Sequence, residues 1–339
     1  MRKNIVAFRR LNEEQLAQLR QHHDVDFFEH HEDADSPAFH AALAKAHGLI
    51  TAGLKVTPQL ISNAPHLETI ASISVGYDNY PLATLNERNI LLCNTPDVLT
   101  ETTADTGFLL IMATARRAVE LADWVKDGQW KSSIGPDLFG SDVHGKTLGM
   151  VGFGRIGAAI ARRGSLGFGM QIRYTMASPK PELEKELGAL RLPLEDLLAT
   201  SDFVCVSVPL NRDTEKLIDS AALELMKPNG ILINISRGKV IDEQALIEAL
   251  NTGKIGAAGL DVFEQEPLPA ESPLPHMPNV VALPHIGSAT RETRAAMAQR
   301  AVDNMLLALA GNDPISPVNP EVLTRRVKWS PEFGPGAKL

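Results

Sequence analysis

The feature that most constrains how this chain can fold is the run Thr147-Leu-Gly-Met-Val-Gly-Phe-Gly-Arg-Ile-Gly157, which continues as Ala158-Ala-Ile-Ala-Arg-Arg163. An apolar stretch broken by Gly152-x-Gly154-x-x-Gly157 predicts a buried strand, a tight turn and a helix start. In such a turn Gly152 permits the reversal, Gly154 lets the backbone approach a pyrophosphate with no Cβ in the way, and Gly157 lets the helix pack closely on the strand. The amides at the helix start lack partners within the helix and favour phosphate groups. Glycine-rich turns that touch no ligand are common, so the motif alone is weak. Here the strand before it, the apolar helix face after it and the βα pattern that follows supply the context it needs. The reading is dinucleotide binding, with a purely structural glycine turn as the alternative.

A length of 339 residues predicts two domains rather than one. With 44% hydrophobic residues each can bury a core. The net charge of −8 argues against general affinity for nucleic acid or for an anionic membrane, both of which require a basic surface. Two cysteines, Cys93 and Cys205, lie inside apolar strand-like runs and read as buried thiols rather than a disulfide or metal pair. No clustered His and Cys ligands occur at metal spacing. The N-terminus begins as a strand, and no apolar run has the length of a signal or membrane segment. The cytoplasm is the expected location.

Up to about residue 100 the pattern alternates: strand Ile5–Phe8, helix Glu13–Arg20, strand Val25–Phe28, a helix around Ser36–Ala46, strand Gly48–Thr51, helix Thr57–Ala64, and strands Glu68–Ile73 and Ile90–Asn94. Strands separated by helices predict βαβ units and a parallel sheet. Ser74-Val75-Gly76-Tyr77-Asp78 follows a strand's carboxyl end, the edge at which open parallel sheets bind ligands. After predicted helices Thr100–Arg117 and Ala118–Asp127, the alternation resumes beyond the glycine motif with strands at 171–174, 203–208, 231–235, 257–262 and 280–283. Helices are expected at 181–187, 220–226, 243–251 and 291–310. The expected organisation is a doubly wound dinucleotide-binding domain over 102–288, a substrate-binding domain from 1–101 and 289–323, and a Pro-, Gly- and Lys-rich tail at 324–339.

Three polar residues stand at the carboxyl ends of successive predicted strands: Arg237 in Asn234-Ile-Ser-Arg-Gly238, Glu266 in Asp261-Val-Phe-Glu-Gln-Glu-Pro267, and His285 in Leu283-Pro-His-Ile-Gly-Ser288. Singly, each has a duller explanation: a surface arginine, a solvated acidic turn, a histidine capping the next helix. Together they form a guanidinium to grip a carboxylate through paired hydrogen bonds, an imidazole to deliver a proton, and a carboxylate that orients the ring and favours its charged form. Reduction of a 2-oxo acid needs these three groups.

These segments, with Ser74–Asp78, Asp142-Val-His-Gly-Lys-Thr-Leu148, Gly259–Pro267 and Pro284-His-Ile-Gly-Ser-Ala289, resemble the D-isomer-specific 2-hydroxyacid dehydrogenases over residues 1 to about 320. Within that family the chain looks most like the glyoxylate/hydroxypyruvate and 2-ketogluconate reductases. The resemblance implies two doubly wound parallel-sheet α/β domains, a Rossmann-type dinucleotide domain inserted in a flavodoxin-like substrate domain. It implies that Arg237 binds and polarises the substrate, Glu266 supports the histidine and His285 is the acid/base. Val75 and Gly76 would give amides to the substrate carboxylate, with Leu54 and Lys55 in the opposing loop. Gly152, Gly154, Arg155, Ile156 and Gly157 would hold the pyrophosphate, Asp261 would face the nicotinamide carboxamide, and Thr106 would touch the cofactor. A homodimer through the dinucleotide domain is the family expectation.

The stretch Tyr174-Thr-Met-Ala-Ser-Pro-Lys180 departs from the pattern of an NAD-preferring site, which places an acidic residue at the end of the second strand to hold the ribose hydroxyls. The arginines that NADPH-using relatives carry at 177–179 are missing too. What remains for a 2′-phosphate is Ser178, Lys180 and Arg173, so NADPH is expected to be favoured with NADH accepted. The rival expectation from another functional class is a nucleotide-sensing interaction protein resembling the dehydrogenase-like corepressors.

Overall fold

A computed structural model describes residues 2–328. They fall into two compact units: the chain up to Leu99 together with the chain from Thr290, and the continuous stretch Thr100–Ala289.

The first unit is built on strands β1 (Asn4–Phe8), β2 (Asp24–Phe28), β3 (Gly48–Thr51), β4 (Thr69–Ser72) and β5 (Leu91–Cys93). All pair in parallel in the order β2-β1-β3-β4-β5, the doubly wound order of flavodoxin-like sheets. Strands β3 and β4 at the centre are buried along their whole length, as expected where helices cover both faces of a parallel sheet. Helix starts here are chemically marked. Asn12 and Gln15 form a reciprocal capping box at α1 (Glu13–His22), while Ser36 and Thr57 each cap a helix opening with proline, α2 (Pro37–Leu43) and α3 (Pro58–Ser62). The sequence reading contained no helix at α4 (Leu82–Glu87), which has a single buried residue, Leu85, and so too little apolar periodicity to be seen.

The second unit carries β6 (Thr147–Val151), β7 (Gln171–Thr175), β8 (Leu190–Arg191), β9 (Phe203–Val206), β10 (Ile231–Asn234), β11 (Ala257–Leu260) and β12 (Val280–Ala282). They form one parallel sheet in the order β12-β11-β10-β9-β6-β7-β8, the Rossmann order extended by one strand. Alternate residues serve opposite layers. Met150, Phe203, Cys205 and Ile233 join the core on one face, and Val151, Val204, Val206 and Leu232 join that on the other. Helices α5 (Thr100–Ala115), α6 (Ala118–Lys126), α7 (Arg155–Arg162), α8 (Pro181–Leu187), α9 (Leu194–Thr200), α10 (Ser220–Leu225) and α11 (Glu243–Asn251) cover it.

Helix α5 stops two residues before the expected Arg117, because Arg117 takes a left-handed backbone (φ 51°) and turns its guanidinium onto Glu120 at 2.7 Å. Strand β8 and helix α9 are absent from the sequence reading. The predicted strands at 203–208, 231–235 and 257–262 run past the observed ends, and the surplus residues belong to the loops that carry the candidate site.

The chain returns to the first unit through α12 (Arg291–Leu309), which packs on β3 and β4. The region expected as a tail from 324 begins inside helix α13 (Glu321–Lys328). Val322 of that helix is buried against Leu91, Cys93 and Ala308, so residues up to 328 belong to the fold. The rest of the expected tail lies outside the described residues. Both cysteines are buried and neither forms a disulfide. Burial pushes the Cys205 thiol up to about 12, which keeps it protonated and unreactive. Among the described residues no helix is long and apolar enough to cross a membrane.

Candidate active site

The sheet of the second unit reverses its winding between β6 and β9, and the carboxyl ends of these neighbouring strands flank the crevice in which such sheets take ligands. The three glycines there have three different environments. Gly152 has φ +93°, and a Cβ on it would meet Val208 at 2.8 Å and the Ser207 carbonyl at 2.9 Å. A Cβ on Gly157 would stand 2.5 Å from the Gly152 oxygen, so only glycine lets α7 sit this close to the turn. Gly154 is exposed, and a Cβ there would meet nothing within 4 Å. Open space beside the glycine that precedes a helix start fits a pyrophosphate approaching the backbone. Ser207 braces the turn by donating its hydroxyl to the Gly152 oxygen at 2.8 Å. Arg155 is exposed at the helix start, and Ile156 is half-buried against the core.

After β7, Ser178 is exposed and Lys180 half-buried, and no carboxylate occurs from 175 to 180. The Lys180 amide donates to the Tyr174 hydroxyl at 2.9 Å, which itself donates to Glu184. Arg173 points from the middle of β7 rather than from the loop. Thr106 is buried in α5, where its hydroxyl donates to the Thr102 carbonyl at 3.3 Å.

Arg237, Glu266 and His285 occupy the loops after β10, β11 and β12. Asn234, buried at the end of β10, shapes the first of these. Its oxygen accepts from the Ser236 amide at 3.0 Å and hydroxyl at 2.9 Å, and its nitrogen donates to the Arg237 carbonyl at 3.0 Å. Glu266 accepts from the Phe263 amide at 3.1 Å through Oε1 and meets His285 Nδ1 at 2.7 Å through Oε2. Burial alone would raise the Glu266 carboxyl. The hydrogen bond and charge of His285, the Phe263 amide and the Arg237 charge outweigh it and hold the group below its ordinary range. With Nδ1 committed to Glu266, the ring's Nε2 is the atom left to exchange a proton with a ligand.

His285 sits in the left-handed region (φ 53°), and Asp261 explains what holds it there. This buried carboxylate at the end of β11 accepts from the Ile286 amide at 2.7 Å and the Gly287 amide at 2.8 Å. Burial raises the Asp261 carboxyl, against the pull of those two amides. In this structure its bonds therefore run to the His285 loop. Sequence reasoning missed this, along with Gly238 and Ser207, because each acts on the backbone of a distant loop that no local spacing encodes; it also missed Asn234, whose partners lie within its own loop.

In the first unit, Leu54 is buried and Lys55 exposed. Asn79 joins their loop to the segment after β4 by donating to the Leu54 carbonyl at 3.1 Å. In that segment the Val75 carbonyl accepts from Asn94 at 2.8 Å and the Gly76 carbonyl from Ser74 at 2.7 Å. With both carbonyls occupied, a ligand is offered the amide edge. Among the described residues no group of three His, Cys, Asp or Glu side chains is placed to hold a metal ion.

Residues 108–287 match the family model described as "D-isomer specific 2-hydroxyacid dehydrogenase, NAD binding domain". The chain is 50% identical over 323 residues to a glyoxylate/hydroxypyruvate reductase B of Yersinia enterocolitica, covering 95% of this chain and 99% of that protein. The chain belongs to the D-isomer specific 2-hydroxyacid dehydrogenase family. A reductase of the same name from Serratia proteamaculans is 49% identical, over 96% of this chain and all of the other. Among solved structures, the NADPH-dependent glyoxylate/hydroxypyruvate reductase of Sinorhizobium meliloti, in complex with NADP and malonate, superposes with a TM-score of 0.84 at 35% identity, over 94% of this chain and 97% of that one. As a member of this dehydrogenase family the chain is an oxidoreductase of 2-oxo and 2-hydroxy acids. These relatives do not support the interaction-protein reading.

Proposed function

We propose that the chain reduces a small 2-oxo acid, hydroxypyruvate, glyoxylate or 2-ketogluconate, to the D-2-hydroxy acid, with NADPH favoured and NADH accepted. The observation that carries this reading is the 2.7 Å contact of His285 with Glu266 beside the Arg237 loop. Arg237 binds the substrate carboxylate and polarises the carbonyl. His285 delivers a proton to the carbonyl oxygen, and Glu266 holds the ring and favours its charged form. When bound, the reduced nicotinamide supplies the hydride that the carbonyl carbon takes. Val75 and Gly76 offer amides to the carboxylate, with Leu54 and Lys55 in the facing loop. Gly152, Gly154, Arg155, Ile156 and Gly157 cradle the pyrophosphate, with Thr106 and Asp261 beside the nicotinamide half and Ser178 and Lys180 near the 2′-phosphate. The chain up to about 101 and from 289 serves as the substrate-binding domain.

A homodimer through the dinucleotide domain belongs to the same proposal. It is supported by exposed apolar side chains between Leu109 and Phe139, including Val119, Val125, Trp130 and Ile134. The cytoplasm suits the two buried cysteines. The test is kcat/KM for the three oxo acids with each cofactor: turnover of at least one by NADPH supports the reading, and inactivity towards all three with both cofactors overturns it.

A further inference from the structure

In a sheet of this order the adenosine ribose is read at the end of the second strand, by a carboxylate for a free 2′-hydroxyl or by a nearby arginine for a 2′-phosphate. Here that strand is β7, and the loop after it, Met176-Ala-Ser-Pro-Lys180, holds neither. The neighbouring strand supplies what the loop lacks. Arg191 of β8 pairs in register with Tyr174 of β7, and its guanidinium donates to two carbonyls of the loop, Nε to Met176 at 3.0 Å and Nη2 to Ala177 at 2.7 Å.

Two features separate this arginine from Arg162 and Arg163. Arg162 and Arg163 are each neutralised by a carboxylate, Glu186 and Asp105, at 2.6 Å. Arg191 has no acidic partner among the described residues. An arginine carries five N–H donors, and with two committed to the loop carbonyls, three remain on an exposed side chain. The loop is also fixed at its far end, where the Lys180 amide donates to the Tyr174 hydroxyl. Arg191 is therefore an unneutralised guanidinium anchored on the Met176 and Ala177 carbonyls of the loop that carries Ser178 and Lys180, with its position set before any ligand arrives. Such preorganisation reduces the ordering cost of binding, and a guanidinium matches phosphate geometry better than a lone lysine does.

We infer that Arg191 is the principal 2′-phosphate-reading residue of this chain, a guanidinium delivered sideways from β8 in place of the missing residue after β7. The inference rests on the proposed preference for NADPH and adds the residue that produces it.

The test is calorimetric binding of adenosine 2′,5′-bisphosphate and of 5′-AMP to the full chain, the Arg191→Met variant and the Arg191→Lys variant, with thermal melts to establish folding. Tighter binding of the bisphosphate than of 5′-AMP by the parent supports the NADPH reading. Arg191→Met should then lose about 10- to 100-fold in bisphosphate affinity, the range of hydrogen bonds to charged groups, while its affinity for 5′-AMP moves less than about threefold, within the context scatter of a single neutral contact. Arg191→Lys should fall between the two. Equal weakening of both ligands, or unchanged bisphosphate binding in Arg191→Met, would overturn the assignment of Arg191 and leave the NADPH preference standing. A parent that binds both ligands equally would overturn that preference and the assignment with it.

Discussion

Gly238 lies directly against the backbone of Phe263: a Cβ built on Gly238 would overlap the Phe263 carbonyl group and the Glu264 nitrogen, well inside van der Waals contact. The loop carrying Arg237 and the loop carrying Glu266 can be neighbours only because position 238 has no side chain.

Gly238→Ala should therefore force the two loops apart. Backbone is the obstacle, so no flexible side chain can yield, and the strain should reach or exceed the about 1–3 kcal/mol typical of overpacking. A misplacement of about 1 Å near reacting groups costs about 100-fold. A melting temperature lowered by several degrees together with a collapse of kcat/KM is the expected result. Wild-type values for both would show that the loops are not held by this contact.

Glu266→Gln keeps an acceptor or donor against His285 but removes the charge that favours the imidazolium. The Glu266 carboxyl is held low by His285, so the parent pair keeps its charge complementarity well into mildly acid solution. Loss of kcat should stay below the about 100- to 10,000-fold of a complete general acid, with NADPH affinity nearly unchanged. Parent-like kcat in this variant would separate Glu266 from the proton transfer.

Much of this was legible from the chain alone. The apolar strands at 48–51 and 147–151 and helices 181–187 and 243–251 announce themselves by period and by capping residues such as Asp242. So do the glycines, because the turn at Gly152 needs a positive φ. Short elements were invisible: Leu82–Glu87 buries one residue, and Leu190–Arg191 is exposed and two residues long. For that reason Arg191 could not be placed on the loop after β7 until strand pairing set it opposite Tyr174. Asp261 shows a different gap. Its strand-end position is readable, but its two bonds to the amides of Ile286 and Gly287 depend on how the next strand's loop folds back.

Stability should fall on mild acidification through His23. Burial lowers its pKa below the ordinary 6.5, helped by the charges of His22, Lys3 and Arg2. The unfolded chain then takes up the proton first, so the contribution is complete above about 6.5 and declines as pH falls below it. Melting temperatures between pH 8 and 5 should drop less steeply in His23→Gln than in the parent. Superimposable curves would remove His23 from the account.

Activity should not depend on a metal. Dialysis against EDTA before assay is expected to leave turnover unchanged, and strong inhibition that added zinc or magnesium reverses would contradict a mechanism built from Arg237, Glu266 and His285.

The most direct test of that mechanism is His285→Ala, assayed with hydroxypyruvate and NADPH while cofactor binding is followed separately by nicotinamide fluorescence. Because the imidazole acts on the proton in flight rather than on the cofactor, turnover should fall by about 100- to 10,000-fold with NADPH affinity nearly unchanged. Near-normal turnover in the variant, or a loss explained wholly by weaker NADPH binding, would contradict the assignment of His285 as the proton donor.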